Sequence, residues 1–139
     1  FRSMTNLQAA LGVAQLGKIK DFIEERERIL GCYRNHLAPK GLTLNPHLEG
    51  TSPVNWITCV LLDNTDREGR DKVMDRLKQQ GIDSRPFFYP LTALPMYACA
   101  GNRVAEDLSA RGLNLPTYPG LGESEIELIS RALVDAIRS

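Results

Sequence analysis

Apolar residues recur at helical spacing from the start of the chain. Leu7, Leu11 and Ala14 begin a stripe that continues, shifted, through Leu16, Ile19, Ile23, Leu30, Tyr33 and Leu37, while charged residues from Lys18 to Arg34 fill the other faces. The pattern predicts a long helix over 4–38, capped by Thr5 or Asn6 and ended before Pro39. At 1.5 Å per residue it would extend roughly 45 to 50 Å, more than a small sheet needs. Its first part is poor in charge and holds the small residues Gly12, Ala14 and Gly17, so it is expected to pack against something outside this chain. The competing reading is two helices broken near Gly17, since glycine costs a helix interior about 1 kcal/mol.

The pattern then changes period. Leu42 to Leu44 allows a short strand, and the run Asn55 to Leu62, β-branched, aromatic and almost continuously apolar, predicts a strand buried on both faces or nearly so, with Trp56 in the core. Arg67 to Gln80 predicts a helix with Val73, Met74 and Leu77 inward and Gly81 as its stop. Ile82 to Arg85 predicts a short strand, Arg103 to Ala110 a helix with Val104, Ala105 and Leu108 as its apolar positions, and Leu113 to Leu115 an extended piece. The last helix opens at Gly122-Glu-Ser124 and carries Ile126, Ile129, Leu133 and Ile137 at helical spacing. This is an α/β, α+β-like arrangement: a small few-stranded sheet covered by helices. Residues 1–139 are expected to form a single domain, 4–38 linking to whatever precedes and 39–139 holding the sheet.

Between the second and third of these helices lies Arg85-Pro-Phe-Phe-Tyr-Pro-Leu-Thr-Ala-Leu-Pro-Met-Tyr97. Pro86, Pro90 and Pro95 forbid regular structure, yet the aromatics of the segment each bury roughly 150 to 250 Å² when covered. That is more apolar surface than a soluble monomer usually leaves open. The chain's own core, a partner subunit or a ligand cleft are the candidate covers; core packing and a platform for a base or sugar both fit Phe87, Phe88 and Tyr89. Arg85 either contacts an anionic group from the rim of a cleft or pairs with Asp83 at the surface.

Composition narrows the function classes. Seventeen basic residues balance seventeen acidic ones across 139 residues, which gives no field to hold nucleic acid or an anionic membrane. Cys32, Cys59 and Cys99 are odd in number and widely spaced, which suits reduced thiols and a cytoplasmic setting. No apolar run reaches membrane-spanning length. Neither His36 nor His47 has neighbours that would complete a metal site, and no catalytic constellation can be assembled. Gly120-Leu-Gly122 opens a helix, but Glu123 and Glu125 beside it would repel a phosphate.

Met4-Thr-Asn-Leu-Gln-Ala-Ala-Leu-Gly-Val-Ala-Gln-Leu16, Trp56 in its apolar strand, Gly81-Ile-Asp-Ser-Arg-Pro-Phe-Phe-Tyr-Pro-Leu91, Leu94-Pro-Met-Tyr97 and Gly112-Leu-Asn-Leu-Pro116 occur in this order. Together they resemble the C-terminal region of the DegT/DnrJ/EryC1/StrS family of sugar aminotransferases, within it the GDP-perosamine synthase-like members. The resemblance implies the small domain of a type I aminotransferase fold. It also implies a dimer, or higher homo-oligomer, that uses pyridoxal phosphate (PLP) to move an amino group, usually from glutamate, to a nucleotide-linked 4-keto-6-deoxy sugar. PLP chemistry needs a lysine for covalent attachment and an acid for the pyridinium nitrogen. In the family both lie upstream, and none of Lys18, Lys20, Lys40, Lys72 or Lys78 matches the lysine's motif, so PLP is expected in the full-length enzyme and not covalently on this chain.

By the same resemblance Arg85, Phe87, Tyr89 and Thr92 are candidate substrate contacts and Arg2 a candidate cofactor contact. The chain departs from the family pattern twice. Ser3 stands directly before Met4, displacing Arg2 by one position, and Thr92 stands where many members have histidine, keeping a hydrogen-bond donor but losing the titratable ring. Met4 is also a candidate initiator, which would make 1–3 a cloning scar and the chain a free-standing module that self-associates or binds a partner without catalysis. A relative recruited to sugar dehydration is a further possibility.

Overall fold

Gly17 and Lys18 stop the first helix and restart it. The computed structural model, which describes residues 4–97 and 101–138, has α1 at Asn6–Leu16 and α2 at Ile19–Leu37. The predicted continuous helix over 4–38 is therefore two helices, the alternative held open at Gly17. Lys18 N–H bonds to the Gln15 carbonyl, one residue short of the α-helical partner, and Lys18 itself leaves helical geometry at φ −110°, ψ 7°. Thr5 caps α1 in a full capping box with Gln8. Every residue from Met4 to Lys20 is exposed.

The remaining elements are β1 (Thr43–Leu44), β2 (Thr58–Leu61), α3 (Arg67–Gln79), β3 (Arg85–Pro86), α4 (Arg103–Arg111), β4 (Gly112–Leu115) and α5 (Glu123–Arg138). The strands form one antiparallel four-stranded sheet in the order β1-β2-β4-β3. Because side chains alternate across a strand, Leu44, Val60, Leu113 and Leu115 share one face. They join Ile29, Tyr33 and Leu37 of α2, Val73 and Leu77 of α3, and Ile126, Ile129 and Leu133 of α5 in the core. The opposite row holds Thr43, Cys59, Leu61, Gly112 and Asn114. The strand predicted over 55–62 is thus shorter and alternates buried with half-buried residues, as a strand with one face on the core must.

Side-chain caps fix the helix ends that position the loops. Asp66 accepts from Gly69 N–H to start α3, and Gly81, at φ 78°, ends its turn. Glu125 accepts from Gly122 N–H at 2.8 Å to start α5. The turn before α5 is tied to α2: Arg28 bonds both carboxylate oxygens of Glu25 and the Leu121 carbonyl, while Glu25 also accepts from Gly120 N–H. In α4, Val104 points to solvent rather than inward, and Ser109 takes the buried position. No helix among the described residues is long and apolar enough to cross a membrane.

Candidate functional site

The irregular segment begins where β3 runs out. Arg85 and Pro86 pair with Asn114 and Leu113 of β4, and Phe87 N–H to the Gly112 carbonyl, 3.1 Å, is the last sheet-like bond. Beyond it the chain turns through short 3-10 turns at Leu91–Ala93 and Pro95–Tyr97. Phe88, Tyr89, Leu91, Leu94, Met96 and Tyr97 are all exposed. Core packing therefore holds only for Phe87, which is half-buried; the other aromatics do not enter this chain's core.

Two side chains from elsewhere meet the segment. The Trp56 ring stacks with Phe88 at 6.3 Å between centroids and 24° between planes. The Arg67 guanidinium, in the first turn of α3, lies 5.3 Å from the centre of the Tyr89 ring. Trp56 is a correction to the sequence reading: it is 55% exposed. A bend at Trp56 and Ile57 breaks the alternation just before β2. Asn45, with a positive φ of 37°, holds that bend, its amide bonding the Ile57 carbonyl and the Asn55 side chain and its oxygen accepting from Cys59 N–H. Arg26 donates to the Trp56 carbonyl and reaches Thr117 O. Beside the indole lies a groove of about 390 Å³ lined by Ile19, Phe22, Ile23, Val54 and Pro119 among others.

The candidate contacts are not gathered into one cluster. Arg85 pairs with Asp83 at 3.0 Å, with the two side chains 75% and 74% exposed, and it lines a separate groove with Met74, Asp75 and Lys78. Such an exposed pair is worth little and is easily exchanged for another anion. Phe87 rests on Gly112, Tyr89 is exposed beneath Arg67, and Thr92 is half-buried with its hydroxyl sheltered and unpartnered. Arg2 lies outside the described residues. Sequence reasoning missed Arg67; its place in the first turn of a helix opening beside an aromatic loop was the available signal.

Titratable groups near the sheet are arranged for structure. The Arg28 guanidinium and the Gly120 amide hold the Glu25 carboxyl down at about 2. Burial pushes the Cys59 thiol up, and that thiol lies 3.1 Å from Asn114 Oδ1. Among the described residues no group of three or more His, Cys, Asp or Glu is placed to hold a metal. Lys18, Lys20, Lys40, Lys72 and Lys78 are all exposed, and Lys72 is paired with Glu68. A lysine desolvated in an apolar pocket, one form that PLP attachment takes, is not among them.

Residues 2–134 match the DegT/DnrJ/EryC1/StrS aminotransferase family. The GDP-perosamine synthase of Vibrio cholerae is 40% identical over 136 residues, a match covering 94% of this chain and 36% of that protein. A crystal structure of DesI in the presence of its TDP-sugar product is 28% identical with a TM-score of 0.82, covering 97% of this chain and 36% of that one. The aminotransferase TlmJ from Streptoalloteichus hindustanus shares the fold at a TM-score of 0.85 and 24% identity, over 99% of this chain and 38% of its own. The chain spans about a third of the length of the curated relatives it matches. The chain belongs to the DegT/DnrJ/EryC1/StrS aminotransferase family.

Proposed function

We propose that this chain is the C-terminal, small-domain part of a PLP-dependent aminotransferase acting on a nucleotide-linked 4-keto-6-deoxy sugar, and that it is inactive by itself. The observation that carries the reading is the match over residues 2–134 to relatives about three times as long, among them a GDP-perosamine synthase. Helix α1 supports it. No charged residue occurs from Met4 to Gly17, and α1 has no buried residue, whereas a helix apolar on several faces is ordinarily covered. The large domain would supply that cover, together with the PLP lysine and the acid for the ring nitrogen. In this reading 4–38 is the link between domains, 39–139 carries the sheet, and Arg85, Phe87, Tyr89 and Thr92 contribute to the substrate side of a site completed in a homodimer.

The test is to compare the chain alone with the chain joined to a family large domain, supplying glutamate and a nucleotide-linked keto sugar. Amino transfer is expected only from the joined protein. Turnover by the chain alone, with a borohydride-trapped adduct on one of its lysines, would sink the proposal. The exposed apolar surface also favours a second reading, a free-standing module that associates with itself. Light scattering that reads monomer across a wide concentration range would dispose of that one.

A further inference from the structure

We propose that Asn114 is a positioning residue for the Arg85–Tyr97 segment: its side-chain amide holds the Pro86 carbonyl and sets where that segment leaves the sheet. That the segment faces substrate rests on the reading above; that Asn114 places it does not.

Asn114 is out of keeping with its strand. It is 4% exposed between the buried Leu113 and Leu115, where an apolar side chain would pack without the cost of burying an amide. The register sets it between Cys59 on β2 and Arg85 on β3. Its Nδ2 donates to the Pro86 carbonyl at 3.2 Å. Its Oδ1 lies 3.1 Å from the Cys59 thiol, nearer than the Ile57 carbonyl at 4.0 Å. Chemistry fixes the direction of this chain of bonds. A carbonyl only accepts, so Nδ2 must face Pro86, Oδ1 must face the sulfur, and the thiol must donate. Burial pushes the thiol's pKa up and so keeps that proton in place.

Strand β3 needs such a bond, because it is an edge strand of two residues and Pro86 has no N–H. After the Phe87 N–H, the backbone bonds among the described residues of the segment are internal: Ala93 to Pro90, Leu94 to Leu91 and Tyr97 to Leu94. Two bonds one residue apart, at Pro86 and Phe87, therefore aim everything that follows, including the Phe88 ring against Trp56.

Trp56 is the only tryptophan and Arg26 holds its carbonyl from α2, so its one indole N–H resonance reports the place of Phe88. Phe88→Ala in the whole chain gives the position of that peak without the ring. Asn114→Leu and Asn114→Asp, neither of which can donate to the Pro86 carbonyl with the carboxylate ionised, should move the peak most of the way there. They should also speed exchange of the Phe87 amide by about fivefold or more, the worth of one hydrogen bond. Cys59→Ala, which spares the Pro86 bond, and Arg70→Met, which lowers stability elsewhere, should leave the peak in place. A peak unmoved in a folded Asn114 variant overturns the proposal, and so does Cys59→Ala or Arg70→Met moving it as far. If neither Asn114 variant folds, the unaltered chain decides. Slower exchange of one Asn114 Nδ2 proton than of the other supports the bond, and equally fast exchange of both overturns it. Amino transfer by the joined protein with the peak unmoved by these variants defeats the positioning role alone; a moved peak without amino transfer defeats the proposed function alone.

Discussion

The Phe87 ring lies over Gly112, in the space that a side chain at that position would need. Gly112 has an ordinary extended backbone, φ −88° and ψ 141°, so glycine is required there for room and not for conformation. A β-carbon would also come within 2.7 Å of the Leu108 carbonyl. Gly112→Ala should destabilise the fold by about 1 to 3 kcal/mol through overpacking, read by urea unfolding. In a double-mutant cycle Phe87→Ala should relieve part of that cost; strictly additive effects would remove the contact from the account.

Tyr33 is fully buried and donates to the Pro116 carbonyl at 3.0 Å. Tyr33→Phe should cost about 0.5 to 1.5 kcal/mol. Burial, then the charges of Tyr118 and Glu125, hold its phenol well above the usual 10. The neutral form is therefore favoured more in the folded chain than in the unfolded one, so the contribution is full below pH 10 and lost as pH rises further. Wild type should lose stability more steeply than Tyr33→Phe above that pH, as alkaline melting curves would reveal.

Glu25 has the opposite sign. Its carboxyl is held at about 2, down from 4.5, by Arg28 foremost and then the Gly120 amide. Its contribution is present above pH 4.5 and lost as pH falls toward 2. Glu25→Gln should flatten the acid limb of the melting temperature against pH. An unchanged acid limb would show that the tie between α2 and the turn before α5 adds nothing.

Arg70 is 2% exposed and donates to the Ser109 carbonyl at 2.6 Å while pairing with Asp71. It joins α3 to the last turn of α4. Arg70→Met keeps much of the volume but strands a buried carbonyl, at an expected cost of about 1.5 to 3 kcal/mol, measurable by chemical denaturation.

Leu11 in α1 touches none of the core. Leu11→Asp should shift the stability of this chain by no more than about 0.5 kcal/mol, yet reduce self-association seen by light scattering. In the chain joined to a large domain the same change should lower yield or activity. A large loss of stability in the chain alone would mean that α1 is supported here after all.

Local signals carried most of this fold. The apolar spacing of α3, its stop at Gly81 and the apolar spacing of α5 are all matters of neighbouring residues, and they placed α3 and α5 within a residue or so. The break at Gly17 was the weaker of two local readings. Trp56 could not be placed from its neighbours, because Asn45 and Arg26 hold it outward from distant parts of the chain. Asn114 is similar: a buried amide in an apolar strand, bonded to the Pro86 carbonyl and close to the Cys59 thiol. The proline-rich segment was legible as an irregular apolar run, but its meeting with Trp56 and Arg67 is a product of tertiary structure.

The two outer strands of the sheet are only two residues long, and one of them contains Pro86, which has no N–H to offer. Such edges make poor templates for another strand. Bare apolar surface favours fibres where long strand edges accompany it, but this ladder ends too soon at both sides to grow. Association of this chain is then expected through side-chain surfaces, where one introduced charge such as Leu11→Asp should weaken it.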